Sequence, residues 1–206
     1  MKRIAVLASG RGSNFEAIAR NVREGRLEAE IAALVVNNPE ARALGIARDY
    51  GVHAICLPSK GVDSDTYAAR VRDVLEPLRV DLICLAGFMR RVGTPLLERW
   101  PSGILNIHPS LLPAFPGLNV QQQAIDYGVK FSGCTVHFVD AGLDTGPIVA
   151  QAVVPVLDDD TAETLAARIL AEEHRIYTEA IALVLSGAYR IEGRRVLRTR
   201  QARAAG

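Results

Sequence analysis

A doubly wound α/β sheet, mostly parallel and with a Rossmann-like amino-terminal half, is the fold this sequence predicts. Three observations predict it. The chain opens on an apolar run, Arg3 to Ser9, which breaks at Gly10-Arg11-Gly12-Ser13-Asn14 and gives way to Phe15, Ile18, Ala19 and Val22 at helical spacing. That order of strand, turn and helix then recurs, so four or five βα units stand before residue 110. Val80 to Ala86 is a nearly unbroken apolar strand, the mark of a parallel sheet covered on both faces.

The remaining elements follow in order. A second strand is expected over Ile31 to Val36, a short helix over 40–50 and a third strand over His53 to Leu57. A polar loop through Pro58-Ser59-Lys60-Gly61 leads to a helix from Ser64 to Leu78. Thr94-Pro95 pairs a cap with a proline in the first turn, starting a short helix that runs to Trp100. The fifth strand is Gly103 to His108. Past residue 118 the pattern changes: a helix over Gln121 to Tyr127, then strands over Gly133 to Val139 and Ile148 to Val156. A long helix begins near Asp160-Thr161 and ends near Ser186-Gly187. A hairpin from Tyr189 to Leu197 and a frayed polar tail, Thr199 to Gly206, close the chain.

At 206 residues one domain spanning 1–206 is expected, with a nucleotide-binding half over 1–110 and a second half over 111–206. A net charge of +1 with interspersed signs leaves no electrostatic footprint for nucleic acid or an anionic membrane. The run Ile4 to Ala8 is too short for a signal core, and no stretch approaches the roughly 20 apolar residues of a membrane span. Cys56, Cys84 and Cys134 are scattered, odd in number and set in apolar surroundings. Buried, reduced thiols in a cytoplasmic protein are expected, with no metal and no disulfide framework.

Two stretches carry chemistry. In Leu105-Asn106-Ile107-His108-Pro109-Ser110-Leu111-Leu112-Pro113 a buried strand runs into a proline-pinned loop. Alternation puts Asn106 and His108 on one face, an amide donor beside an imidazole at a strand's carboxyl end, where open α/β sheets keep their ligand crevice. A strand edge with one satisfied histidine is the plain alternative. The turn Gly10-Arg11-Gly12-Ser13-Asn14 offers free amides at a helix start, with Ser13 and Asn14 at cap positions, which suits a phosphate. A dinucleotide fingerprint would need glycine where Phe15 stands, and the second strand ends in Asn37-Asn38-Pro39 without the acid that takes a ribose hydroxyl. A single phosphate fits better than NAD, and a bare glycine turn stays open. Asp144, before Thr145-Gly146, reads alone as a turn cap; His137, in mid-strand, reads as structural.

With Gly12-Ser13-Asn14, the Asn106-x-His108-Pro109-Ser110-Leu111-Leu112-Pro113 stretch and Asp144 in hand, the chain resembles the phosphoribosylglycinamide formyltransferases over nearly its whole length. The resemblance implies the formyltransferase fold, with glycinamide ribonucleotide as acceptor and 10-formyltetrahydrofolate as donor. It implies that Gly12, Ser13 and Asn14 hold the ribonucleotide phosphate, that Glu173 takes ribose hydroxyls, and that Pro109 borders the same substrate. Folate would lie along Met89, Arg90, Arg91 and Val92 and against the loop from Asp140 to Asp144, which belongs to the second half. Asn106, His108 and Asp144 would be the catalytic trio. Small molecules are then the expected partners, with a homodimer left open. Three positions depart from the family's habit: Ser64 stands near a usual arginine, Gln121 in a segment that often carries histidines, and Leu170 at a position that is often polar.

Formyl transfer to an amine passes through a tetrahedral species bearing an oxyanion, so donors aimed at that oxygen lower the barrier. A carboxylate beside His108 would favour the charged ring and orient it. Two other readings compete: another folate formyltransferase or hydrolase, and a non-catalytic nucleotide- or folate-binding module. A tRNA-directed enzyme is expected to need a further domain and a basic face, and a hydrolase an amino-terminal regulatory domain.

Overall fold

The computed structural model describes residues 1–199, so of the tail read from Thr199 onward, residues 200–206 lie outside the described part. Strands β1 (Lys2–Ala8), β2 (Ala29–Val36), β3 (Ala54–Cys56), β4 (Leu82–Leu85) and β5 (Ile104–His108) alternate with helices α1 (Ser13–Arg23), α2 (Ala43–Asp49), α3 (Ser64–Leu75) and α4 (Thr94–Arg99). These strands pair in parallel. Then come α5 (Val120–Tyr127), β6 (Phe131–Phe138), β7 (Ile148–Pro155), α6 (Ala162–Ser186), β8 (Tyr189–Glu192) and β9 (Arg195–Arg198). Among the described residues the sheet has nine strands, ordered β3-β2-β1-β4-β5-β6-β7-β9-β8. Strand order reverses between β1 and β4, the switch point beside which open α/β sheets bind ligands. From β5 to β7 the pairing turns antiparallel, as the change of pattern past residue 118 suggested.

Alternation along the strands divides the core. Ile4, Val6, Leu34, Cys84, Leu105 and Ile107 face the layer of α1, α2, α5 and α6. Ala5, Leu7, Val35, Ile83, Leu85 and Ile104 face α3 and α4. Both faces are covered, which is why β1 and β4 read as apolar without interruption. The longest helix, α6, starts at a capping box in which Thr161 accepts from the Thr164 N–H and Thr164 reaches back, and it ends at left-handed Gly187. It is tied to the sheet by Tyr177, whose buried hydroxyl lies 2.9 and 3.1 Å from the carbonyl oxygens of Leu85 and Leu105.

Some boundaries differ from expectation for identifiable reasons. Helix α3 stops at Leu75 and a 3-10 turn (Glu76–Leu78) follows, because Pro77 has no N–H to continue the ladder and Arg79 turns left-handed. The caps of α1 and α4 are Gly12 and Gly93, so Ser13, Asn14 and Thr94 belong to first turns. Gly12 is obligatory: its φ is +80°, and a Cβ there would meet Cβ of Ala43 at 2.8 Å. Cys84 and Cys134 are buried as expected, whereas Cys56 is exposed, since β3 is a three-residue strand at the sheet's edge.

Candidate active site

Helical cover on the α3/α4 face ends at β5, and the polar residues begin there. Asn106 and His108 continue the alternation of Ile104 on that face. Across the antiparallel register Asn106 pairs with His137 and His108 with Thr135, so four polar side chains from two strands share one patch. His108, Thr135 and His137 are buried. A cavity of about 680 Å³ opens over Asn106, His108 and His137, bounded by the 87–92 loop after β4, the segment 117–121 and the loop 139–144 after β6.

The segment after β5 is fixed from below. Thr135 Oγ1 donates to the Ser110 carbonyl at 2.7 Å and accepts from the Leu112 N–H at 3.0 Å. Gln151 Nε2 donates to the Leu112 carbonyl at 2.9 Å. Ser110, fully buried, turns its hydroxyl to the carbonyls of Ala114 and Phe115. The Leu112–Pro113 bond is cis. Proline alone was expected to pin this loop; the buried hydrogen bonds from β6 and β7 could not be read without the pairing.

His108 Nε2 lies 2.9 Å from the Phe115 carbonyl oxygen, which obliges that nitrogen to carry a proton. Its Nδ1 lies 3.5 Å from Asp144 Oδ2. Both ring nitrogens therefore face acceptors, a setting that a doubly protonated ring satisfies on both sides. Asp144 adopts a left-handed backbone, φ 54°, and its Oδ2 also accepts from the Gly117 N–H at 2.9 Å. Its side chain is 11% exposed and its Oδ1 lies 3.7 Å from His137 Nε2. A carboxylate turned out to solvent would have broken the trio, and this one faces inward. Its loop is held by Asp140, whose Oδ1 accepts from the Gly142 N–H and the Thr145 hydroxyl. Gly146 passes so close to β6 that a Cβ there would lie 1.8 Å from the Phe138 carbonyl oxygen.

His137 is the residue that the sequence reading set aside. Its Nδ1 bonds the Phe138 carbonyl at 2.8 Å and its Nε2 meets Asn106 Nδ2 at 3.2 Å. Burial depresses its pKa, outweighing the Phe138 carbonyl and Asp144, which raise it. The period-2 spacing of Thr135 and His137 was a signal, but only the pairing with β5 gives it meaning.

Of the expected folate contacts, Met89, Arg90, Arg91, Val92 and Asp140 all line the cavity, as does Pro109. Arg90 nevertheless turns its guanidinium to the carbonyls of Ser59 and Val62, at 3.2 and 2.6 Å, above the Tyr67 ring. Arg91 spans the mouth, with Nη2 3.4 Å from the Ala141 carbonyl oxygen. Ser64 opens α3 behind its cap Asp63, and Gln121 lines the cavity wall.

Gly12, Ser13, Asn14 and Glu173 do not line this cavity; Arg11 is the member of their turn that does. Asn14 and Glu173 form a second polar pair. Asn14 Nδ2 donates to Glu173 Oε2 at 2.8 Å with both side chains buried, and Asn14 Oδ1 has no partner among the described residues. Desolvation raises the Glu173 pKa, against the Asn14 bond and Arg11, which lower it. A raised carboxyl pKa means that the folded state disfavours the charge, so wild-type stability falls as pH climbs through the folded value. Glu173→Gln is therefore expected to raise the melting temperature near neutral pH and to leave it unchanged in acid below the ordinary carboxylate range. Its amide keeps the acceptor for Asn14 Nδ2 and adds a donor for the unpartnered Oδ1. Thermal unfolding followed from pH 4 to 8 checks this, and equal melting temperatures at pH 7 would contradict it.

Residues 2–181 match the family described as formyl transferase. The chain is 44% identical over 188 residues to the phosphoribosylglycinamide formyltransferase of Bacillus subtilis, covering 90% of this chain and 95% of that protein. It is 44% identical over 189 residues to the trifunctional purine biosynthetic protein adenosine-3 of Drosophila melanogaster, where the match covers 90% of this chain but only 14% of the relative. Among solved structures, glycinamide ribonucleotide transformylase 1 from Symbiobacterium toebii superposes with a TM-score of 0.94 at 52% identity, covering 97% and 94% of the two chains.

Proposed function

Because the chain belongs to the formyl transferase family, we propose that it carries the formyl group of 10-formyltetrahydrofolate to the amine of glycinamide ribonucleotide, a step of purine biosynthesis. The observation that carries this reading is the meeting of Asn106 and His108, neighbours on β5, with Asp144 from a loop far along the chain, around one small volume that lines the cavity. Each then has a definite role. Asn106 donates a neutral N–H to the formyl oxygen as it gains charge. His108, oriented by the Phe115 carbonyl, is the charged partner on that side, and Asp144 stabilises its charge from 3.5 Å. The attacking amine must lose a proton; the Asp144 carboxylate, not the charged ring, is the group that can take it, directly or through a water, and the folate nitrogen gains a proton as its bond to the formyl carbon breaks.

Gly12, Ser13 and Asn14 supply the amino-terminal amides of α1 for the ribonucleotide phosphate, with Arg11 adding charge at the turn. Glu173 accepts ribose hydroxyls, and Pro109 gives the acceptor a rigid wall. On the donor side Met89, Arg90, Arg91, Val92 and Asp140 border folate. The exposed apolar side chains of Met89, Leu118 and Leu143 on the cavity's border suit a flat conjugated ring. Purified protein given the formyl donor, with glycinamide ribonucleotide, tRNA and water as separate acceptors, decides the matter. Transfer to the ribonucleotide is the expected result. Hydrolysis alone, transfer to tRNA, or binding of both ligands without turnover would each replace this reading.

A further inference from the structure

We infer that His137 is a positioning residue that locks the Asn106 side-chain amide with its NH2 group, rather than its carbonyl, turned toward His137. An amide can sit in two orientations that differ by exchanging oxygen and nitrogen, and only one of them presents a donor where a donor is required. The choice here follows from heavy-atom geometry. The Phe138 carbonyl can only accept, so His137 Nδ1, 2.8 Å away, carries the proton. A neutral ring then has a bare lone pair at Nε2. Only an N–H can stand 3.2 Å from that lone pair, so the nitrogen of Asn106 faces it and the oxygen faces away. One amide proton satisfies His137. The other is left for the oxygen that gains charge during transfer.

The lock requires a neutral ring. The charged and titratable groups facing it are Asp144 at 3.7 Å, Asp140 in the same loop and His108 on the neighbouring strand. The two carboxylates favour protonation, while burial and His108 oppose it, and burial dominates, so the ring stays neutral near pH 7. Protonation would turn Nε2 into a second donor facing the Asn106 NH2 group, and the amide would have to rotate.

This inference rests on the reading of Asn106 as the donor to the formyl oxygen. The first test leaves the chain unaltered: imidazole nitrogen NMR of the labelled wild-type protein at pH 7. The expected spectrum assigns His137 to the Nδ1–H tautomer with a bare Nε2; an Nε2–H tautomer or a doubly protonated ring overturns the lock. The second test is kinetic. His137→Phe keeps a flat aromatic ring but removes the acceptor, and should lower kcat about tenfold or more while KM for both substrates changes less than about twofold. His137→Gln, which returns an acceptor at the far end of the side chain, should recover most of the loss. Because His137 acts through Asn106, the double variant Asn106→Ala/His137→Phe should be no slower than Asn106→Ala alone, whereas multiplying losses would mean an independent role. If Asn106→Ala is slow and His137→Phe is not, the lock alone fails. If Asn106→Ala turns over normally, the assignment of the donor fails with it.

Discussion

Asn106→Ala is expected to lower kcat about a hundred- to a thousandfold with the fold intact, the cost typical of one donor removed from a developing oxyanion. The side chain is partly exposed to the cavity and, among the described residues, makes one side-chain hydrogen bond, to His137, so its loss leaves no large void. The helical core on this face ends at Ile104, and neither α3 nor α4 depends on Asn106. KM for both substrates should move little, because the interaction strengthens only as charge develops. Steady-state kinetics together with a melting curve check this. Turnover within tenfold of wild type, at unchanged melting temperature, would remove Asn106 from the chemistry.

Phe15→Ala is expected to destabilise the protein by about 3–5 kcal/mol, the range for a buried aromatic cut back to a methyl. Phe15 is fully buried in the cluster that joins α1, α2 and α6 to the sheet. It also follows directly on Gly12, Ser13 and Asn14, so the ring that anchors α1 sets the height of the proposed phosphate-binding turn. A loss of this size is a large share of the 5–15 kcal/mol typical of a whole domain. Equilibrium urea unfolding measures it directly, and a loss below about 1 kcal/mol would mean that the anchor lies elsewhere.

Both residues stood out in the sequence, and the contrast with those that did not is instructive. Asn106 and His108 were legible because alternation within one strand needs no partner to define a face. Phe15 was legible as the residue that breaks a dinucleotide fingerprint. The parallel half was legible because full burial on two faces leaves an unbroken apolar signature. Asp144 came only through the resemblance, since its approach to His108 depends on a left-handed residue, on the Gly117 N–H, and on Gly146 passing against β6. His137 and the loop-pinning pair Thr135 and Gln151 were not legible, because cross-strand partners are set by register. The orientation of Arg90 was hidden for a similar reason: the carbonyls it serves lie in a separate loop, beyond the reach of local pattern.

The place where helical cover stops has a further meaning. A sheet face left without a helix would ordinarily be a defect to be filled, yet here the gap leaves the strands' polar side chains open to the cavity, where the two proposed substrates would meet them. The proposed reaction chamber is thus a missing piece of architecture, walled by loops instead of packed by a neighbour. It follows that an apolar insertion after β5, long enough to lie across Asn106 and His108, would silence the protein while altering none of the residues proposed to do the chemistry.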